Sequence, residues 1–251
     1  NFGQCSIDRS QKNNVLMRIL GLIPARGGSK GIPRKNIKLL NGKPLLFHTI
    51  DEAKKSVLSQ DIILSSEDEE IINLARKKGV SVPFVRPLEL SQDDTPSIEV
   101  IRHALNFFID NGIYFDAVCL LQVTNPFRSA SLINQAVENF VAADFDSIVS
   151  VSPIPHSFNA NWAYYLDDST TKLTRVLENE VLISRRQDLR KSYYRDGSIY
   201  ITKSEVILNQ KSIYGNSIGY VLSNNLERIN IDTQEDWFIA ESVLNNKSRK
   251  Y

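Results

Sequence analysis

A loop rich in glycine and cations follows the first apolar run of the chain, RILGLIPA at residues 18–25. It contains Gly27, Gly28 and Gly31 together with Arg26, Lys30, Arg34, Lys35 and Lys38. Glycines let backbone N–H groups approach an anion closely, and cations neutralise its charge. The loop therefore favours binding of a polyanion such as a nucleotide triphosphate, with a solvated basic turn as the alternative.

The loop matches neither of the two common phosphate-binding motifs. Gly31 is followed by Ile32 and Pro33, where a G-x-x-x-x-G-K-[ST] loop would have lysine and a hydroxyl residue, and no G-x-G-x-x-G is present here. Kinase-like and dinucleotide-binding functions are therefore disfavoured.

Composition excludes several other classes of protein. The 251 residues carry a formal net charge of +1, which favours neither nucleic acid nor a membrane surface. No apolar run approaches the roughly 18 residues of a membrane span. The 3 histidines are scattered, and no G-x-S-x-G turn follows a strand. Two cysteines, Cys5 and Cys119, argue against a disulfide framework and fit a reducing cytoplasm.

Strand-like and helix-like patterns alternate from residue 18 onward. The elements that they predict must position the residues of the glycine- and cation-rich loop. Such alternation predicts a mostly parallel sheet with helices on both faces, and the very apolar run 116–123 suits its middle. Thr95 and Pro96 resemble a helix N-cap and first position, and Thr233 with Asp236 a capping box. The predicted strands are 18–25, 61–66, 80–85, 116–123, 146–154, 197–203 and 218–223. The predicted helices are 44–57, 68–79, 95–111, 129–143 and one after residue 233.

The chain is expected to form one domain over residues 17–251. Residues 1–16 are polar and precede Met17, which is the single methionine, so we expect them to be an extension outside the core. Residues 152–196 break the alternation and carry aromatic residues and many cations. We predict an inserted lobe there, or a contact between subunits.

Several segments together resemble the CMP-sialic acid synthetases, or acylneuraminate cytidylyltransferases. The segments are PARGGSKGIPRKN, LLQVTNPFR (120–128), RRQDL (185–189), DGSIYI (196–201) and INIDTQED (229–236), in the family's order. The resemblance implies a Rossmann-like three-layer fold of the nucleotide-diphospho-sugar-transferase type, with an inserted dimerisation lobe. It also implies a homodimer in which one subunit helps to complete its neighbour's site.

The resemblance also implies a reaction, in which CTP and a nonulosonic (sialic-type) 2-keto-3-deoxy sugar acid give a CMP-sugar and pyrophosphate with Mg²⁺ or Mn²⁺. Cations and metal would stabilise charge on the transferring phosphorus and on the departing pyrophosphate. The resemblance assigns Lys35, Arg26 and Asp232 to catalysis. The residues it assigns to CTP are Arg26, Gly28, Ser29, Lys30, Asn36, Arg86 and Ser97. For Arg86, the alternative is a surface ion pair with Glu89.

Sugar-acid recognition requires cations for the carboxylate and polar groups for the hydroxyls. Gln122 lies at the carboxyl end of a predicted strand, where ligands bind in α/β sheets. The resemblance places Arg186 on the sugar carboxylate and adds Gln187 and Tyr200, although a strand tyrosine is often a core residue. The other cations of SRRQDLRKSYYR are predicted to be solvated or interfacial.

Departures from the family pattern affect the metal and the sugar. Asn230 stands where the family has a carboxylate, so the metal would be held by Asp232 and Asn230, which offers only a carbonyl oxygen. Either Asp232 and the nucleotide's phosphates suffice, which we favour, or catalysis is weakened. Asp196, Val123 and Asn125 also differ, and sialic, legionaminic and pseudaminic acids remain open. The alternatives are an eight-carbon keto-deoxy acid as substrate, or a catalytically weak protein that binds CTP or a CMP-sugar.

Overall fold

The computed structural model describes residues 17–177 and 181–248, so the predicted extension 1–16 lies outside the described residues. The strands, numbered in chain order, are β1 (Ile19–Pro24), β2 (Leu39–Leu40), β3 (Lys43–Pro44), β4 (Ile62–Ser65), β5 (Ala117–Leu120), β6 (Ser147–Pro153), β7 (Tyr164–Asp167), β8 (Lys172–Arg175), β9 (Tyr193–Lys203) and β10 (Ile218–Leu222). The helices are α1 (Leu45–Lys55), α2 (Glu69–Lys77), α3 (Ser97–Asp110), α4 (Ala130–Ala143), α5 (Ser204–Gln210) and α6 (Gln234–Ser248).

The central sheet has six strands in the order β10-β6-β9-β5-β1-β4. Its neighbours are parallel except at β9, which runs antiparallel to both β5 and β6. All four residues of β5 are buried, and the strand lies between β9 and β1. The predicted mostly parallel sheet, with the run 116–123 in its middle, is therefore confirmed.

Helices cover both faces of this sheet and enclose two hydrophobic clusters. One cluster joins the sheet to α1, α2, α4 and α6, and includes Trp237 at 1% exposure. The other lies beneath α3 and α5. Caps fix where two of the helices begin, because Asp68 accepts a hydrogen bond from the Ile71 amide and Ser129 one from the Leu132 amide. The predicted three-layer α/β arrangement is confirmed.

Two local predictions are wrong. Residues 80–85 do not form a strand, since only Ser81 makes a bridge, to Ile63 of β4. Pro83 lacks the N–H that a ladder requires. Thr95 does not cap α3, because Pro96 occupies the N-cap position and the Thr95 hydroxyl donates to the Glu89 carbonyl oxygen instead.

The chain leaves the sheet after β6 and returns at β9, and we call residues 154–192 the lobe. Its antiparallel β7–β8 hairpin lies outside the main sheet. The predicted bounds 152–196 were too wide, because Ser152 pairs with Tyr194 inside the sheet. Within the described part of the lobe, Trp162 Nε1 donates a hydrogen bond to the Ile183 carbonyl oxygen at 2.6 Å. A dimerising role for the lobe stays a prediction.

Within residues 17–177 and 181–248, none of the helices combines the length and the apolar character required to cross a membrane.

Candidate active site

The glycine-rich loop follows β1 at the edge of the sheet where the parallel strands end. The Gly27 amide donates to Glu67 Oε1 at 2.6 Å, which joins the loop to the segment after β4. A Cβ at Gly31 would overlap the backbone carbonyl oxygen of Asp232, so glycine is required for this close approach. Gly28 faces open space instead. The loop thus lies between two segments that are distant in sequence.

Lys35 is directed toward the segment that precedes α6. Its Nζ donates to the Ile231 carbonyl oxygen at 2.8 Å and lies 3.3 Å from Asp232 Oδ1. Only 12% of its side chain is exposed. Asp232 is itself positioned by Asp236, whose Oδ2 accepts its amide at 3.0 Å. The predicted capping box is confirmed, since Thr233 N donates to Asp236 Oδ2 and Asp236 N donates to Thr233 Oγ1.

Arg26 and Lys30 share one acidic partner. Arg26 Nη2 lies 2.8 Å from Asp93 Oδ1, and Lys30 Nζ lies 3.0 Å from Asp93 Oδ2. Arg26 Nη1 also donates to the Gln92 carbonyl oxygen at 2.7 Å. Asp93 therefore pairs with both cations.

The other two cations of the loop have structural partners. Arg34 bonds to Asp68 at 2.5 Å and to Glu70 at 2.6 Å. The hydrogen bond from Arg34 lowers the pKa of the Asp68 carboxyl, and burial raises it by less. The pKa of Asp68 therefore lies below its usual value. Lys38 Nζ lies 4.3 Å from the centre of the Trp237 ring. These contacts fix the loop to α2 and α6.

A first cavity of about 270 Å³ opens over the loop. Of the residues predicted to act on CTP, it is lined by Arg26, Gly28, Ser29, Lys35, Asn36, Arg86, Ser97 and Asp232. Lys30 is not among them, and its side chain is 82% exposed. Asn36 is buried and its amide donates to the Arg26 carbonyl oxygen at 2.9 Å, which holds the start of the loop in place.

Arg86 forms a buried ion pair rather than the surface pair with Glu89 that was considered as its alternative. Its Nη2 lies 2.8 Å from Glu67 Oε2, with side-chain exposures of 3% and 12%. Its Nε donates to Ser91 Oγ at 2.9 Å. Burial raises the pKa of Glu67, but the hydrogen bonds from Arg86 and the Gly27 amide outweigh it and keep this pKa below its usual value.

We predict that Arg86→Met lowers the free energy of unfolding by about 3–5 kcal/mol, because it leaves Glu67 as a buried, unpaired charge. Urea unfolding at neutral pH measures this. Arg185→Met is the control, since it removes an exposed pair with Asp188 and should change stability by less than about 1 kcal/mol.

The sign of the pH dependence follows from the lowered pKa of Glu67. The ion pair of Glu67 with Arg86 stabilises the fold at any pH above the unfolded-state pKa of Glu67. This stabilisation is lost as the pH falls through the lower folded-state pKa of Glu67. A difference between Arg86→Met and Arg185→Met that is near zero at neutral pH would contradict the assignment.

A second cavity of about 330 Å³ adjoins the first, and Ser97 and Gln122 line both. Asp232 lines the first cavity and Asn230 the second. The remaining lining residues of the second cavity are Leu120, Arg195, Asp196, Gly197, Tyr200 and Ile213. The site is therefore a continuous depression with two ends, and Gln122 lies at their junction.

Tyr200 is both a core residue and a lining residue. It is 8% exposed and belongs to the cluster beneath α3 and α5, yet it lines the second cavity. Its ring packs edge-on against Tyr214 with centroids 6.3 Å apart. Burial raises the pKa of Tyr200 to about 12, so its phenol stays protonated and can donate a hydrogen bond.

Asp196 is held inside the protein at the start of β9. Its carboxylate accepts hydrogen bonds from Ser150 Oγ at 2.6 Å, Ser152 Oγ at 2.9 Å and the Ser198 amide at 3.0 Å. The Asn125 amide group donates to the Asp196 carbonyl oxygen at 3.2 Å. Two of the residues that depart from the family pattern, Asp196 and Asn125, are thus in direct contact.

Arg128 is a functional candidate that sequence reasoning missed. It is fully buried, and desolvation lowers its pKa to about 10. It donates to the Ser198 carbonyl oxygen and to the Gln122 carbonyl oxygen at 2.6 Å. Arg128 thereby positions the strand end that carries Gln122. Its place as the last residue of LLQVTNPFR, one of the segments that carry the family resemblance, was the available signal.

Asn230 and Asp232 supply two oxygen ligands of the kind that a hard cation binds. Asn230 Nδ2 donates to Asp232 Oδ2, and Asn230 Oδ1 is buried with no hydrogen-bond partner among the described residues. The described residues contain no group of three His, Cys, Asp or Glu side chains that could hold a metal. The two residues therefore fit Mg²⁺ only where phosphate oxygens and water complete the coordination, as is common for this ion.

Arg186 and Gln187 lie in a short 3₁₀ turn of the lobe, and both are exposed. They line neither cavity. Their predicted sugar-binding role stays a prediction, and the structure of one chain does not bring them to the other predicted residues.

Comparison with solved structures identifies the fold. The chain resembles CMP:2-keto-3-deoxy-manno-octonic acid synthetase complexed with CTP, with a TM-score of 0.68 over 92% of this chain and 99% of that one, at 13% identity. The fold is therefore that of an α/β nucleotidyltransferase.

Sequence comparison then gives the family. The family model for cytidylyltransferases matches residues 20–248, and the chain belongs to this family of nucleotidyltransferases. It is 37% identical over 229 residues to the CMP-N,N'-diacetyllegionaminic acid synthase of Legionella pneumophila, covering 91% of this chain and 97% of that protein. It is 35% identical over 226 residues to a pseudaminic acid cytidylyltransferase of Campylobacter jejuni, covering 90% and 95%.

Proposed function

We propose that the protein transfers CMP from CTP to the anomeric hydroxyl of a nonulosonic acid and releases pyrophosphate. The observation that carries the proposal is the pair of adjoining cavities that share Ser97 and Gln122. One end presents a glycine-rich, cationic loop suited to a triphosphate, and the other is lined by polar groups suited to a sugar acid. The relatives named for legionaminic and pseudaminic acids support this class of acceptor.

In the proposed step the anomeric oxygen attacks the α-phosphorus in line with the leaving group. The oxygen–phosphorus bond forms, the bond to the pyrophosphate oxygen breaks, and the hydroxyl proton is lost to solvent. Negative charge grows on the departing pyrophosphate, and preorganised cations stabilise it most effectively in a site that excludes water. Lys35, which is nearly buried and already oriented by Ile231 and Asp232, suits this role.

Mg²⁺ would be held by Asp232 and by the free carbonyl oxygen of Asn230. When bound, it would neutralise phosphate charge and polarise the phosphoryl group. Asn230 adds no charge of its own, so Asp232 would supply the negative charge that attracts the ion.

A pyrophosphate-release assay tests the proposal. CTP, ATP, GTP and UTP are each combined with sialic, legionaminic and pseudaminic acids and with an eight-carbon keto-deoxy acid, with Mg²⁺ or with EDTA. We expect release only with CTP, a nine-carbon acid and Mg²⁺. Release with the eight-carbon acid but with none of the nine-carbon acids would show that the eight-carbon acid is the acceptor, and would contradict the proposal.

The position of Asn230 favours one alternative, a catalytically weak protein that binds CTP or a CMP-sugar. Binding of CTP by calorimetry without turnover on any acid would support this alternative and overturn the proposed reaction.

We further propose that the lobe forms a homodimer contact. Apolar side chains on its surface are exposed in the single chain, and apolar and aromatic groups of this kind are typical of interface cores. They are Phe158, Tyr164, Tyr165, Leu166, Leu173, Val181 and Leu182. In such a dimer, Arg186 and Gln187 of one subunit could reach a cavity of the other subunit.

Leu166→Asp is expected to convert the dimer into a monomer at micromolar concentration, because it places a charge in a desolvated contact. Leu166 is 75% exposed in the single chain. Tyr114→Asp is the control, since Tyr114 is 68% exposed but lies outside the lobe. Light scattering measures both, and a fully active wild-type monomer would contradict the contact.

A further inference from the structure

The second cavity contains one cation, and it is not the one predicted for the sugar acid. Among the described residues, Arg195 is the only Lys or Arg that lines this cavity. Arg195 is the last residue of SRRQDLRKSYYR, and the segment's remaining cations, Arg185, Arg186, Arg190 and Lys191, line neither cavity. The inference drawn here rests on the proposed function, because it concerns how the sugar end of the site holds its substrate.

A β-bulge turns Arg195 toward the cavity. The pairing of β6 with β9 shifts from Val149–Tyr200 to Val151–Arg195, so β9 has extra residues between two pairs. Gly197 lies in this stretch with a φ of 83°, a conformation that glycine adopts readily. Bulges redirect side chains and are common beside active sites.

The bulge also separates Arg195 from its acidic neighbour. The Asp196 carboxylate is directed toward Ser150, Ser152 and the Ser198 amide, and all of these donate to it. Arg195 makes no ion pair with any described carboxylate. Its charge is therefore available to a ligand.

Tyr214 holds the guanidinium in place. Arg195 Nη1 donates to the Tyr214 phenol oxygen, and the guanidinium carbon lies 5.7 Å from the centre of the Tyr214 ring. Tyr214 in turn packs against Tyr200, which lines the same cavity. A guanidinium has five N–H donors, so several remain free, and its planar shape suits bidentate binding of a carboxylate.

We propose that Arg195 binds the carboxylate of the sugar acid, with Tyr214 as the residue that positions it. Binding the carboxylate at this point would fix the orientation of the acid in the second cavity. This role also explains why the cavity contains a cation. Its other lining residues are neutral, except for Asp196, whose carboxylate is already hydrogen-bonded.

Arg195→Gln tests the proposal, with Arg190→Gln as the matched control from the same segment. Loss of a charge-assisted hydrogen bond should raise KM for the sugar acid about 10- to 100-fold. KM for CTP should be unchanged, and Arg190→Gln should match the wild type. Thermal unfolding of both variants checks that they fold equally well. Tyr214→Phe, which removes only the phenol oxygen, should give a smaller rise in the same KM.

A second substrate distinguishes carboxylate binding from a general effect. The wild type should strongly prefer the acid over its neutral carboxamide, and Arg195→Gln should lose most of that preference. An unchanged preference, or a rise in acid KM in Arg186→Gln but not in Arg195→Gln, would overturn the proposal. Absence of turnover by the wild type with every acid would instead overturn the proposed function, so the two failures are distinguishable.

Discussion

Lys35→Met is expected to lower kcat for pyrophosphate release about 10²- to 10³-fold, the size of effect seen when one preorganised charge-stabilising donor is removed. Lys35 is nearly buried and is held by Ile231 and Asp232. Its removal would therefore affect the transition state more than the affinity for CTP. Steady-state kinetics at saturating CTP and sugar acid provide the measurement.

Lys38→Met is the matched control, since Lys38 belongs to the same loop but stacks on Trp237 and lines neither cavity. It should reduce stability slightly and leave kcat close to that of the wild type. Equal losses of kcat in the two variants would show that the loop responds to any lost cation, and would contradict a specific role for Lys35.

Asp232→Asn is expected to lower kcat/KM about 10²-fold or more at a fixed Mg²⁺ concentration, because a metal's stabilisation of transition-state charge amounts to several kcal/mol. Both proposed metal ligands would then be neutral amides. Titration of activity against Mg²⁺ should show a much higher half-saturating concentration. Unchanged Mg²⁺ dependence would exclude Asp232 as a ligand.

Asn230→Asp is the complementary variant. It adds a second carboxylate next to Asp232, so Mg²⁺ should saturate the enzyme at a lower concentration. We expect kcat to stay close to the wild-type value, because Asp232 and the phosphates are proposed to suffice. A large gain in kcat would instead show that Asn230 limits catalysis.

The layered fold could be predicted because its signals are local. The apolar run 116–123 and the capping pair Thr233–Asp236 are each readable within one segment, and both were confirmed. The glycine–cation loop was recognisable for the same reason. Gly31 and Lys35 lie a few residues apart, and both contact the segment around Asp232.

Contacts between residues that are distant in the sequence could not be predicted. Arg86 was weighed against its sequence neighbour Glu89, whereas its partner is Glu67, which the fold brings beside it. The place of Arg195 beside the second cavity was not readable from the sequence either, because it depends on the pairing of β9 with β6. Strand propensity favoured residues 80–85, but Pro83 interrupts that segment.

The shared contact of Asp93 with Arg26 and Lys30 has a consequence for the order of events in the proposed reaction. A triphosphate that binds Arg26 and Lys30, as predicted, would displace this carboxylate, and a ligand with only one phosphate would compete poorly for the two cations. Once pyrophosphate departs, Asp93 can pair with them again. We therefore expect the free enzyme to discriminate between a triphosphate substrate and a monophosphate product, which would help the CMP-sugar to leave.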